Sequence, residues 1–129
     1  MIQFKQREDE QKWAFFDFRL KFLVELFDLW GRARTTPCVL VTDLDTPGVH
    51  LEHGPHYRKQ AADLSIRSLG LAQAEEFAKW VNALFDYGRG FKVAIVGSID
   101  PSGSHDDHLH IQIPPPYKAM GKVRLFEDD

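Results

Sequence analysis

Bulky apolar residues recur at spacings of three and four through residues 8–32: Trp13, Phe16, Leu20, Leu23, Phe27 and Trp30. That period places all six on one face of a single long helix. Gly31 and the stretch Thr35-Thr36-Pro37 end it. So aromatic a stripe must be buried, and the rest of the chain has to supply the surface that covers it. The same period returns over residues 71–87, with Phe77, Val81 and Leu84 on the inner face and Glu75, Glu76 and Lys79 outside. Gly88 and Gly90 close this second helix.

Four short runs have strand character. Residues 38–42 are apolar and β-branched, and residues 61–66, 91–96 and 108–113 read as further strands. Pro114-Pro115-Pro116 stops the last. The order helix, strand, long loop, strand, helix, strand, strand predicts an α+β fold, a small antiparallel sheet packed against two main helices. The 129 residues suffice for one such core and not for two, so residues 1–129 are expected to form a single domain.

Composition removes several functional classes. The formal charge of −3, from 16 basic and 19 acidic residues, is too near neutral for a protein that holds nucleic acid by charge. The single cysteine, Cys38, can form neither an internal disulfide nor a site of several thiolates, and it reads as a buried thiol. No apolar run approaches membrane-spanning length. Residues 1–10 are charged and polar where a signal peptide needs an apolar stretch. The expectation is a protein made in the cytoplasm, with neither nucleic acid nor membrane as partner.

Six histidines stand outside both helices. His50, His53 and His56 fall in residues 43–60, a long loop rich in Gly, Pro and Asp, and long ordered loops in small domains are often functional. His105, His108 and His110 fall at the last turn and strand. Two clusters in loop-to-strand positions are what a metal site assembled across a sheet requires, since neutral imidazole is the commonest metal ligand. His108 and His110 are two apart on a strand and so look to the same face. Asp63 sits in the apolar run Ala61-Ala62-Asp63-Leu64, where a half-buried carboxylate needs a partner and a cation would serve. Other arrangements use the same residues. Asp63 can cap a turn or pair with Arg58 or Arg67, and the two histidines can face solvent on an edge strand.

The spacing adds a family likeness. The segment His56-Tyr57-Arg58-Lys59-Gln60-Ala61-Ala62-Asp63 resembles the motif His-x-x-Gly-x-Ala-x-Asp. Asp107-His108-Leu109-His110 resembles the later acid-x-x-His segment. Together they are similar to the zinc D-alanyl-D-alanine carboxypeptidases and dipeptidases, a family that includes phage endolysins cutting the L-alanyl-D-glutamate bond. Its fold is shared with lysostaphin-type peptidases and the hedgehog signalling domain. The resemblance spans roughly residues 39–113. It implies zinc (Zn2+) held by His56, Asp63 and His110, with Asp107 as general base and His108 in support. It implies a peptide-bond hydrolase acting on peptidoglycan stem peptides. It also suggests a phage-encoded enzyme released to the cell wall through a membrane hole made by the phage.

Two departures from the family pattern bear on activity. The family's Gly is Lys59 here; glycine at such a position permits an unusual backbone. The family's Ser-x-x-Arg segment has no counterpart in Val41-Thr42-Asp43-Leu44-Asp45, and Arg58 is the candidate to bind substrate in its place. The missing Arg favours a second reading, a zinc-binding domain of this fold without activity that serves in protein interaction. Retention of Asp107 and His108 favours the enzyme. A regular strand through Asp107 would point it away from His110. If the chain is still turning there, after Pro101-Ser102-Gly103-Ser104, Asp107 can reach the site; otherwise His108 is the better catalytic group.

Overall fold

Asp17 divides what the aromatic stripe promises as one helix. The structure is a computed structural model and describes residues 2–34, 39–45, 56, 59–100, 107–114 and 122–123. Helix α1 spans Arg7–Lys12, a 3-10 turn follows over Trp13–Phe15, and helix α2 spans Phe18–Arg32. Between them Phe16 is extended, with ψ 157°. The Asp17 carboxylate then accepts the Arg19 backbone N–H at 2.9 Å and the Arg19 guanidinium at 3.0 and 3.2 Å. An N-cap of this kind is worth about 1 kcal/mol and starts a new helix here. The stripe survives the break, because Phe16, Leu20, Leu23 and Phe27 are buried and Trp13 and Trp30 pack at the margin.

The main sheet contains β1 (Ile2–Phe4), β2 (Val39–Asp43), β3 (Ala61–Ser65), β5 (Ala94–Ile95) and β6 (His108–Gln112), in the order β1-β2-β3-β6-β5. β1 runs parallel to β2, and every other pairing is antiparallel. The sheet is therefore mixed, which corrects the expectation of an antiparallel one. Parallel neighbours need a long crossover, and α1 with α2 provides it. The charged, polar character of residues 1–10 concealed β1, a three-residue edge strand that needs little apolar sequence. Helix α3 spans Leu71–Leu84. The chain leaves it before Tyr87 because Phe85–Asp86 (β4) pairs instead with Lys122–Val123 (β7) in a separate ribbon.

The two faces of the main sheet differ in kind. Val39, Val41, Ala62, Leu64, Leu109 and Ile111 point to one face and are buried against α2 and α3. Phe77 of α3 anchors the seam, with ring centroids 4.8 Å from Phe27 and 5.5 Å from Trp30 of α2. Burying each such side chain contributes roughly 2–3 kcal/mol. The alternate residues Leu40, Thr42, Asp63, Ser65, His108 and His110 must then share the opposite face. No described helix is long and apolar enough to cross a membrane.

Candidate metal centre

Register sets the core of the site. Asp63 on β3 is directly opposite His110 on β6, and Ser65 is opposite His108. Both strands are interior to the sheet, so their backbones are held on both sides. His56 arrives from a tight turn in which the Lys59 N–H donates to the His56 carbonyl at 3.1 Å. That turn is itself fastened. The Lys59 carbonyl accepts the Asp17 N–H at 2.9 Å, the Gln60 carbonyl accepts the Ile113 N–H at 3.0 Å, and the Gln60 amide donates to the Asp17 carboxylate at 3.3 Å. The cap that starts α2 therefore also positions the first histidine. Lys59 lies at φ 60°, in the left-handed region. The residue standing where the resembled family has glycine adopts the backbone that glycine adopts most readily.

The three side chains meet as a compact, buried group that could hold a metal ion. His56, Asp63 and His110 are 4, 8 and 6% exposed. His110 Nδ1 lies 3.1 Å from Asp63 Oδ1 and 3.3 Å from His56 Nε2, and His56 Nε2 lies 3.5 Å from Asp63 Oδ1. The outward nitrogens fix which lone pairs face in. His56 Nδ1 is bonded to the Leu44 carbonyl, which can only accept, so Nδ1 carries the proton and Nε2 is bare. The Gln112 amide nitrogen donates to the Lys92 carbonyl at 2.9 Å, which turns Oε1 toward His110 Nε2, 2.9 Å away. That nitrogen donates, and His110 Nδ1 is left bare.

Three acceptors thus converge in one small volume, and only a proton or a metal cation between them removes their repulsion. A proton bridges two of them; a metal serves all three. Burial alone pushes the Asp63 carboxyl up, and only positive charge beside it, from protonated His110 and His56 rings or from a cation between bare ones, holds it below the usual carboxylate range. The donor set therefore fits a metal cation.

His108 stands beside this group on the same face, with Nε2 3.8 Å from Asp63 Oδ1. Its other nitrogen, Nδ1, lies 2.7 Å from the carboxylate of Asp107. Asp107 precedes β6 at a bend, and its side chain is 91% exposed. The His108 ring holds the Asp107 carboxyl below its ordinary value. A cleft of about 640 Å³ opens against the group, with Thr42, Asp63, Ser65 and His108 in its lining.

The structure brings together His56, Asp63 and His110 and sets Asp107 and His108 next to them. Arg58, His50, His53, His105 and Cys38 lie outside the described residues. Sequence reasoning missed Gln112 and the Leu44 carbonyl. Gln112 carries one signal, because it is two residues beyond His110 and therefore on the same face. The Leu44 carbonyl carries none, since any residue has one. No family model, curated protein or solved structure matches the chain.

Proposed function

We propose that the chain is a zinc-dependent hydrolase that cuts a peptide bond in peptidoglycan stem peptides. One observation carries the reading: His56 Nε2, Asp63 Oδ1 and His110 Nδ1 converge at 3.1 to 3.5 Å with their outer partners already engaged. Ligands about 2.0–2.1 Å from a tetrahedral zinc are roughly 3.3 Å apart, so these separations suit that ion. Two imidazoles and one carboxylate are a hydrolytic zinc set, and three protein ligands leave one position for the reaction. When bound, the ion supplies Lewis acidity toward water and toward a carbonyl oxygen. The choice of peptidoglycan rests on the likeness of residues 56–63 and 107–110 to the carboxypeptidase and endolysin family.

The chain's own groups supply the proton chemistry. With Asp107 accepting its Nδ1–H, neutral His108 carries its basic lone pair on Nε2, 3.8 Å from Asp63 Oδ1. That nitrogen takes the proton from the attacking water and returns it to the leaving amine. Asp107 holds the ring in this tautomer and stabilises its protonated form. The chain does turn at Asp107, but its carboxylate is engaged at His108 Nδ1, 2.7 Å away, and is largely exposed, which supports His108 as the proton carrier and Asp107 as the group that orients it.

Metal analysis and product analysis test the two halves of the proposal. Purified protein should hold close to one zinc per chain, and His110→Ala should release it. Undiminished zinc in that variant would overturn the site. Zinc-loaded protein incubated with stem peptides should give one defined cleavage product by mass spectrometry. Intact peptides would overturn the activity.

A further inference from the structure

Helix α2 is apolar on two sides. Leu20, Leu23, Val24 and Phe27 face the core, yet Phe18, Phe22 and Leu29 are 77, 54 and 62% exposed. At 3.6 residues per turn these three lie within about 40° of one another around the axis, opposite the buried set. Phe15, just ahead of the helix, is 76% exposed. A helix that is apolar all round is one that gets buried, so the outer stripe needs a cover. A whole aromatic side chain presents roughly 150–250 Å², so the three phenyl rings and Leu29 together leave roughly 500 Å² of apolar surface bare. Patches of that size often mark an interaction site. Helix α2 packs on the sheet face away from Asp63 and His110, so covering its outer stripe leaves the cleft of the metal centre open.

The stripe is complementary to itself when reversed. With two α2 helices antiparallel and Phe18 level with Leu29 of a second copy, symmetry makes that contact twice. At 1.5 Å per residue, the two Phe22 rings then stand about 4.5 Å apart along the axis, one on each side of the twofold. Phe85 steadies each Phe22 by an edge contact, with ring centroids 5.9 Å apart. Lys21 comes within one residue of the second copy's Glu25, again twice. Among the described residues neither Lys21 nor Glu25 forms an ion pair, so both charges can serve as the polar rim of this contact. A parallel pairing would instead set like charges side by side, which is unfavourable. Two such patches bury about 1,000 Å², the least that a specific interface needs. We propose that the chain forms a twofold homodimer through this outer face of α2, a twofold interface being one that uses the same patch on both copies. The pairing is independent of the chemistry at the metal centre.

Analytical ultracentrifugation of the full chain, from about 1 μM to about 1 mM, tests the dimer. The mass should rise from one copy to two within that range. One copy at every concentration, or a mass that climbs past two, would overturn the twofold dimer, whatever else covers α2. Phe18→Glu and Leu29→Lys introduce charges that suit the first and last turns of a helix. Each should weaken pairing about tenfold or more. An equimolar mixture of the two single variants should pair again, because one contact then sets the introduced acid against the introduced base while the other keeps Phe18 against Leu29. Single variants that pair like the wild type, or a mixture that pairs no better than its components, would overturn the antiparallel match. Thermal melting of dilute, single-copy protein checks that each variant folds. If one does not, the wild-type mass still decides.

Discussion

Replacing Gln112 by Leu should weaken zinc binding by about 10- to 100-fold, although Gln112 does not touch the site's interior. Its Oε1 accepts from His110 Nε2, and its amide nitrogen is anchored on the Lys92 carbonyl. Without that acceptor, the proton of His110 moves to Nδ1, where Asp63 Oδ1 waits at 3.1 Å. A hydrogen bond to a buried carboxylate is worth roughly 1.5–3 kcal/mol, and zinc must displace it before His110 can bind. At about 1.4 kcal/mol per factor of ten, this gives the stated loss. The assay is competition for zinc against a chromophoric chelator of known affinity. Thermal melting of the metal-free protein provides the control, with about 1–2 kcal/mol of destabilisation expected for the two lost hydrogen bonds. The backbone should hold, because β6 is paired on both sides and the Gln112 N–H donates to the Val93 carbonyl. Gln112→Glu keeps an acceptor toward His110 and should retain most of the affinity. A folded Gln112→Leu protein with zinc affinity within about twofold of the wild type would refute the reasoning that Gln112 selects the tautomer.

Asp107→Asn should lower kcat about tenfold or more with KM and zinc content little changed, and steady-state kinetics reads this directly. Asp17 gives a pH effect: burial pushes its carboxyl up, but hydrogen bonds from Arg19 and Gln60 outweigh this and hold it below its ordinary value. Its folded pKa is thus depressed, so its stabilisation is present above the ordinary carboxylate pKa and is lost as pH falls through the folded value. Asp17→Asn, which keeps a capping oxygen but no charge, should show a shallower acid limb in denaturation at graded pH. At Lys59, φ 60° sets the order of stability. Lys59→Val should cost about 1–2 kcal/mol by chemical denaturation, because a β-branched residue is strained in that region, whereas Lys59→Gly should cost less or nothing.

Much of the centre was legible because its residue types are scarce and its geometry is periodic. Histidines two apart on a strand share a face whatever surrounds them, and a carboxylate in an apolar run has to be neutralised. The spacing to Asp63 singled out His56 among the three histidines of its loop, and His56 is the one found in the buried group with Asp63 and His110. What escaped had no periodic signature. β1 is three residues of mixed polarity, visible only once β2 is there to pair with it. The cap at Asp17 interrupts a helix without interrupting its apolar stripe, so the period could not register it. The relation of Asp107 to His108 depends on the bend at the start of β6 and on a ring rotamer. Spacing along the chain determines neither. The anchors of the two imidazoles are a backbone carbonyl and a glutamine, groups too common to be noticed in advance.

Asp63 and His110 are neighbours across the sheet but 47 residues apart in the chain, and His56 is 54 residues from His110. A metal held by all three is a reversible staple through the middle of the molecule. Closing a loop of such length costs an unfolded chain about 4 kcal/mol, by the relation used for disulfides. A metal that keeps the loop closed offsets part of that cost without a covalent bond. The interior strands of a sheet are ordinarily the last to exchange their amide protons. With such a metal bound, the protection of β3 and β6 would rise with the free metal concentration, tying the most central part of the fold to its surroundings.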